Sequence, residues 1–185
     1  MFLEALIIGV LLGILFGGKL ANLGNLEINR YYIPLVAFLA QAGLSWNKDV
    51  GLAMSEIVVP IIHLASYLLM FWWLWENRII KGIWLLVLGV SLNFMVIAGN
   101  GGYMPVDGSQ VSAQILQVLD NKEDGIHSLL TEKSRFRYLA DIIYLPYPQP
   151  SLISLGDIFL SLGLFWISFY YTKDKSTRFR LFSCN

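Results

Sequence analysis

Two aspartates in the last third of the chain are the residues whose type and placement best suit catalysis. Asp141 lies in the segment LADIIYLP, and Asp157 lies in the segment SLGDIFLSLG. Two carboxyl groups a few ångström apart share one proton, so that one acts on water as a general base while the other acts as a general acid. The pair therefore predicts amide hydrolysis, provided that the fold brings the two side chains together.

Each aspartate also has a structural interpretation. Asp157 stands at the start of a long apolar run, where the dipole of a helix stabilises a carboxylate in its first turn. The sequence favours this helix-capping role for Asp157. Asp141 follows Arg135 and Arg137, either of which is a partner for a surface ion pair.

Three further polar residues lie in or beside apolar runs, where polar groups are costly and mark a functional site by default. Asn93 and Asn100 are candidate binding residues at one end of an apolar run. His63 is a candidate proton relay or metal ligand, but no second histidine lies nearby in the sequence. A hydrogen bond between helices is the interpretation that the sequence favours for His63. The sequence predicts no metal site, and it does not identify a cofactor.

Composition excludes several classes of protein. Of the 185 residues, 56% are hydrophobic and only 14% are charged, whereas a soluble domain has roughly 25% charged residues. The 13 basic residues are balanced by 13 acidic ones, so that no basic surface for a nucleic-acid partner is expected. The single cysteine excludes a disulfide framework and a cysteine-based zinc site.

The elements that must position these residues are apolar runs. A helical membrane crossing needs about 20 mostly apolar residues, and the second run is the weakest candidate because it is short and contains Gln41 and Ser45. We predict an all-α, polytopic membrane helix bundle that forms one domain over residues 1–185, with the lipid bilayer as its first partner. The five predicted spans are residues 1–17, 31–46, 57–75, 79–98 and 152–171.

Charge predicts the orientation, because short cytoplasmic loops are enriched in Lys and Arg. We place the amino terminus outside a bacterial cytoplasmic membrane, with residues 99–151 extracytoplasmic and the tail, residues 172–185, in the cytoplasm. This choice puts eight basic residues inside: Lys19, Arg30, Arg78, Lys81, Lys173, Lys175, Arg178 and Arg180.

The connection at residues 99–151 is long enough to hold structure of its own. A glycine-rich turn at 99–108 precedes an amphipathic helix over 109–120, whose apolar face includes Val111, Ile115, Leu116 and Leu119. The closely spaced prolines Pro146, Pro148 and Pro150 favour an extended path into the last span.

Small residues recur at helical spacing in two of the spans. Gly9, Gly13 and Gly17 share one face of the first span, and Gly156 and Gly163 share one face of the last. Such faces allow helices to approach closely. The glycines either pack within this bundle or dock onto a partner subunit, and the sequence leaves both interpretations open.

Several of these segments together resemble a known family. The segments NFMVIAGNGGYMPV, LADIIYLP and SLGDIFLSLG, with His127 between them, resemble a bacterial family of five-span integral membrane proteins of unknown function that has NGGxMPV and GD motifs. This resemblance implies a topology for nearly the whole chain, but no activity, substrate or cofactor.

A more distant likeness is to the lipoprotein signal peptidase family of small membrane aspartyl proteases. Those enzymes have one catalytic aspartate in an outer loop and another early in the last span, and the resemblance implies these roles for Asp141 and Asp157. This chain departs from that pattern: the Asn-x-x-Asp-Arg element is absent, one span is added, and Leu155 and Gly156 replace Asn and Ala.

Three functions follow as hypotheses. The first is a non-catalytic subunit or accessory of a larger membrane assembly, with other membrane protein subunits as its partners. The second is a membrane-embedded aspartyl hydrolase or peptidase that acts at the outer face through Asp141 and Asp157. The third is a small transporter or lipid-handling protein that uses an outer cavity near Asn93, Asn100 and Asp157.

Overall fold

The computed structural model describes residues 1–46, 57–123, 125–147 and 150–173. These residues are mainly helical, which confirms the helical part of the predicted architecture. The α-helices are α1 (Phe2–Leu15), α2 (Tyr32–Trp46), α3 (Val58–Glu76), α4 (Ile83–Gly99), α5 (Ala113–Asp120) and α6 (Leu155–Lys173). Short 3-10 turns lie at Leu20–Asn25, Gly108–Gln110 and Arg137–Leu139.

Five of these helices pack side by side. Helix α2 packs on α3, α3 on α4, α4 on α6, and α6 on α1. Gly9 approaches Phe165 and Gly13 approaches Thr172, so α1 and α6 run parallel. Gly89 of α4 approaches Leu160 of α6, whereas Gly163, later in α6, approaches Leu86, earlier in α4. Helices α4 and α6 therefore run antiparallel. The end of the bundle where α6 begins is called the cap end below, and the end where α6 finishes is called the tail end.

The helices differ in length from the spans predicted for them, and α4 and α6 begin later than predicted. Helix α4 begins at Ile83 rather than at residue 79, because Gly82 adopts the left-handed conformation with φ 94°. Helix α6 begins at Leu155 rather than at residue 152, because the preceding residues pair as a strand. Only α3 and α6 are long and apolar enough to cross a membrane among the described residues, while α1, α2 and α4 are shorter apolar helices.

The glycine faces pack inside the bundle. A Cβ at Gly13 would lie 2.6 Å from the Thr172 Cβ and 3.1 Å from the Phe169 carbonyl oxygen, and a Cβ at Gly163 would lie 2.6 Å from Leu86. These distances are too short for any side chain, so glycine is what allows α1 and α4 to approach α6. Gly17 differs, because it follows α1 and has no neighbour within 4 Å of its Cβ position.

The described residues between 100 and 154 form a cap over one end of the bundle, and the cap contains strands that the all-α prediction omitted. Strand β1 (Met104–Val106) pairs in parallel with β2 (His127–Leu129), and a parallel bridge joins Val106 to Asp141. Strand β3 (Ile143–Leu145) pairs antiparallel with β4 (Ser151–Ile153). Strand β4 confirms the extended path for residues 151–153 before α6, its pairing with β3 was not foreseen, and Pro148 lies outside the described residues.

Helix α5 confirms the predicted amphipathic helix with one correction. It begins after Ser112, whose hydroxyl accepts a hydrogen bond from the Ile115 amide at 3.4 Å. Val111 precedes this cap and lies outside the helix, while Leu119 is buried. Of the predicted tail at residues 172–185, Thr172 and Lys173 belong to α6, and residues 174–185 lie outside the described residues.

Candidate functional site at the cap end

Asp157 and Ser154 cap the first turn of α6 reciprocally. The Ser154 hydroxyl accepts a hydrogen bond from the Asp157 amide at 3.0 Å, and the Asp157 Oδ2 accepts one from the Ser154 amide at 3.0 Å. This arrangement is a capping box, in which two amides at a helix end that lack intrahelical partners are both satisfied. The helix-capping role predicted for Asp157 describes this geometry.

Asn93 joins the cap from the neighbouring helix α4. Its Nδ2 donates to the Asp157 Oδ1 at 2.9 Å, and its Oδ1 accepts from the Ser154 hydroxyl at 2.9 Å. Both oxygens of Asp157 are thereby used. A Cβ at Gly156 would overlap the Asn93 Oδ1, so the glycine between Ser154 and Asp157 is required for this contact. We call this closed set the Asn93–Ser154–Asp157 junction.

Asp141 is the second carboxylate at this end, and its backbone belongs to the cap. The Asp141 amide donates to the Pro105 carbonyl at 3.0 Å, and the Asp141 carbonyl accepts from the Asp107 amide at 2.9 Å. The side chain is buried, and its Oδ1 has no hydrogen-bond partner. Its Oδ2 lies 3.8 Å from the Nε2 of the partly exposed His127. Asp141 is thus a buried carboxyl group with one unsatisfied oxygen.

The surroundings of Asp141 change its acidity. Burial, and after it the charge of Asp157, raise the pKa of Asp141 from 3.8 to about 7, while His127 opposes both effects. A carboxyl group with this pKa exchanges its proton near neutral pH. The charge of Asp157 acts on Asp141, but the two carboxylates do not share a hydrogen bond, because Asp157 is held by Asn93 and Ser154.

Tyr67 of α3 lies beside the same polar group. Its hydroxyl lies near the Asn93 side chain and within the electrostatic influence of both aspartates. Its ring contacts the ring of His63, with the centroids 5.6 Å apart. Sequence reasoning missed Tyr67, because an aromatic residue within an apolar helix carries no signal. It also missed Ser154, although the S-x-x-D spacing with Asp157 is a capping-box signal.

His63 connects α3 to the glycine-rich turn. It is buried, and its Nδ1 lies 2.7 Å from the Gly102 carbonyl oxygen. Because a carbonyl only accepts, Nδ1 carries the hydrogen in this contact. Gly102 has φ 92° and lies against Pro60, a position that only glycine fills without strain. His63 therefore holds the glycine-rich turn against α3. Its ring also contacts Tyr67, which lies near Asn93.

Asn100 lies apart from the junction. Its Nδ2 donates to the Val96 carbonyl at 2.7 Å and to the Arg135 carbonyl at 3.0 Å, and its Oδ1 accepts from the Arg135 amide at 2.8 Å. It also lines a polar cavity of about 290 Å³ on the cap, together with Lys122, Ser128 and Lys133. The structure thus separates Asn100 from Asn93, two residues that were predicted to face one site.

Within the described residues, no three His, Cys, Asp or Glu side chains gather as a metal site would require. The described residues place His127 and Asp141 together, but they bring no third His, Cys, Asp or Glu to this pair. Among the described residues, the cap end presents one carboxyl group, Asp141, that exchanges its proton near neutral pH, and a second, Asp157, whose two oxygens are both hydrogen-bonded.

Residues 25–169 match the model of a family of unknown function, DUF5317. The chain belongs to this family. It is also similar to an uncharacterised protein of Thermotoga maritima, with 32% identity over 167 residues that cover 89% of this chain and 88% of the relative. No solved structure matches. The predicted resemblance to a family of unknown function is confirmed, and these matches do not extend to the signal peptidase family.

Proposed function

We propose that this protein is a multi-pass integral membrane protein in which α1, α2, α3, α4 and α6 all cross the bilayer. The observation that carries the proposal is the exposure of its longest apolar helices. In both α3 and α6, only 22% of the most apolar 18-residue window is buried. A core helix of a soluble protein hides such a surface, because large exposed apolar patches are rare on soluble monomers.

The shorter helices support the same proposal. Leu3, Leu11 and Leu15 of α1 and Phe38 of α2 are more than half exposed. Helix α1 has 14 residues and α4 has 17, which correspond to about 21 and 25 Å at 1.5 Å per residue. The hydrocarbon core is about 30 Å thick, and local thinning of the bilayer and apolar flanking residues accommodate such a difference.

Cations and aromatic rings at the tail end support a cytoplasmic location for that end. Arg78 lies over the ring of Trp75 at 4.9 Å, and Lys81 lies over the ring of Tyr170 at 4.8 Å. Lys and Arg are enriched on the cytoplasmic side, and aromatic residues are enriched at the interface. The proposed orientation in the bacterial cytoplasmic membrane therefore has the amino terminus outside and the carboxyl terminus inside.

Within the membrane we propose a non-catalytic role, as a subunit or accessory of a larger assembly. The junction supports this role, because Asp157 is fully engaged in holding α6 against α4. The cap also exposes aromatic side chains, with Tyr138 88% and Tyr147 80% exposed. Tyrosine is enriched at protein interfaces, and a partner membrane protein would cover these rings at the outer surface.

The unique cysteine provides the test. Cys184 lies in the proposed cytoplasmic tail, so a maleimide that cannot cross membranes should label it only after the bilayer is disrupted. A matched variant, Cys184→Ser with Ser109→Cys in the cap, should label in intact cells. Extraction at alkaline pH should leave both proteins in the membrane fraction. Release by alkali, or labelling of Cys184 in intact cells, would reject the proposal.

A membrane-embedded aspartyl hydrolase is the second candidate, and the state of Asp141 favours it. A dyad needs one protonated and one ionised carboxyl group. Burial and the charge of Asp157 raise the pKa of Asp141 to about 7, so that near neutral pH Asp141 could hold the proton of such a pair. If a deletion strain has a phenotype, Asp141→Asn and Asp157→Asn should each abolish complementation at normal protein levels. Complementation by either variant would reject hydrolysis by this pair.

A further inference from the structure

An apolar cavity lies in the half of the bundle near the tail end. It encloses about 180 Å³ between α1, α4, α6 and the residues that follow α1. Helices α1 and α4 both pack on α6. The cavity lies in the groove between α1 and α4 on the surface of α6. Its lining includes Leu6, Val10, Leu26, Ile83, Leu164 and Ile167.

The polar atoms of the lining already have partners in the protein. The Ser168 hydroxyl donates to the Phe165 carbonyl at 2.9 Å, and the Trp73 Nε1 donates to the Asn29 carbonyl at 3.1 Å. A buried water needs two to four polar partners, and apolar cavities of this kind stay dry. The volume equals that of about six water molecules at roughly 30 Å³ each, but the lining is apolar. A segment of hydrocarbon chain therefore suits both the volume and the lining.

The cavity is open at its rim, where Leu6 and Ile28 are both exposed. Close to Ile28 in the chain, Arg30 lies over the ring of Trp72 at 5.1 Å, and its Nε is 3.8 Å from a Glu76 carboxylate oxygen, with which a phosphate would share the guanidinium. Lys173 lies over the ring of Phe16 at 5.8 Å at the same end of the bundle. A ligand that fills the cavity with hydrocarbon would thus place its polar end among cations.

We infer that the cavity binds one acyl chain of an anionic phospholipid, whose phosphate contacts cations at the tail end, Arg30 first among them. The inference rests on the proposed membrane location. It adds a specific lipid site in the cytoplasmic leaflet, separate from the aspartates at the cap end. The apolar lining selects the chain, and the cations select the charge of the headgroup.

The test uses the full-length protein purified in detergent. Native mass spectrometry measures retained lipid, and the thermal midpoint is followed with added phosphatidylglycerol or phosphatidylcholine of the same chain length. Val10→Phe fills the cavity, while Leu11→Phe introduces the same side chain at an exposed position of the same helix. Leu6→Trp, which narrows the rim, replaces Val10→Phe if that variant does not fold.

Wild type and Leu11→Phe should retain one phospholipid and gain about 5 °C or more with phosphatidylglycerol at saturation. Val10→Phe should reduce lipid retention at least tenfold and lose that gain. Arg30→Gln should abolish the preference for phosphatidylglycerol over phosphatidylcholine. Equal retention by Val10→Phe and wild type, equal effects of the two lipids on wild type, or a retained polyprenyl compound would overturn the inference. Alkaline extraction tests the membrane location separately.

Discussion

Asp157 and Asp141 occupy the same end of the bundle, but the hydrogen bonds of their carboxyl groups differ. Asp157 has both oxygens in hydrogen bonds, to Asn93 and to the Ser154 amide. Asp141 has a buried oxygen without a partner and a second oxygen 3.8 Å from His127. Asp157 therefore joins two helices through its hydrogen bonds, whereas burial of Asp141 favours the neutral form of its carboxyl group.

The difference follows from how each position is built. The capping partner of Asp157 is three residues away, and the dipole of α6 favours its negative charge. Asp141 is carried into the protein by backbone pairing with Pro105 and Asp107 in a distant part of the cap. Among the described residues its Oδ1 has no hydrogen-bond donor, and His127 lies 3.8 Å from its Oδ2, so that burial has the largest effect on its acidity.

The largest predicted effect is a dependence of stability on pH that belongs to Asp141. Burial raises its pKa from 3.8 to about 7 in the folded protein. Between these values the folded state keeps a proton that the unfolded state releases, so the free energy of unfolding should fall as pH rises from 4 to 7. The fall should be on the order of 4 kcal/mol, and above pH 7 it should level off.

Asp141→Asn removes the titrating group and keeps the shape of the side chain. The variant should lose most of this pH dependence and should unfold at a higher temperature than wild type at pH 8. Thermal midpoints in detergent at pH 5 and pH 8 for both proteins measure the effect. A wild-type protein that is more stable at pH 8 than at pH 5 would show that Asp141 is ionised and that both of its oxygens have partners in the folded protein.

The second-largest predicted effect concerns the packing of the Asn93–Ser154–Asp157 junction. Gly156→Ala places a methyl group against Asn93 and within 2.8 Å of the Gly89 carbonyl oxygen. Overpacking of this kind costs about 1–3 kcal/mol, and we expect the upper end because the Gly89 contact is with backbone. Gly43→Ala is the matched control, since its Cβ meets nothing within 4 Å. It should leave stability unchanged or raise it by up to ~1 kcal/mol, as measured by thermal or denaturant unfolding in detergent.

Asp157→Ala should have a somewhat smaller effect on unfolding in the same assay. It removes a helix cap, at about 1 kcal/mol, and leaves the Asn93 Nδ2 without its acceptor, at about 1–3 kcal/mol. We expect a loss of about 2 kcal/mol. Asp107→Ala removes an exposed cap from the Ser109 amide and should cost less than ~1 kcal/mol. Equal losses in the two variants would show that Asn93 gains nothing from Asp157.

The elements of the bundle could be predicted from the sequence because their signals are local. Apolar runs predicted α1–α4 and α6, and the spacing of Ile115, Leu116 and Leu119 predicted α5. The start of α4 was missed because the left-handed conformation of Gly82 depends on packing against Trp166. The pairing of β1 with β2 was missed because short parallel strands depend on contacts between distant residues.

The candidate site, like the fold, could be predicted only in part. Asn93 and Asp157 were predicted as neighbours at one end of the bundle, and the structure joins them by a hydrogen bond. Tyr67 was missed because its role depends on which face of α3 meets α4. The burial of Asp141 was also missed, because the sequence offers Arg135 and Arg137 as partners, whereas the fold provides His127.

The smallest predicted effect concerns that histidine. His127 opposes the raised pKa of Asp141 through its positive charge, so His127→Gln should move the pKa of Asp141 upward. The fall in stability with rising pH should then extend to a higher pH, while its size at any one pH changes by less than ~1 kcal/mol, because His127 is partly exposed. Thermal midpoints between pH 5 and pH 9 measure the displacement. A displacement to lower pH would contradict the assignment, since it would mean that His127 stabilises the neutral form of Asp141 by a hydrogen bond and not its ion by charge.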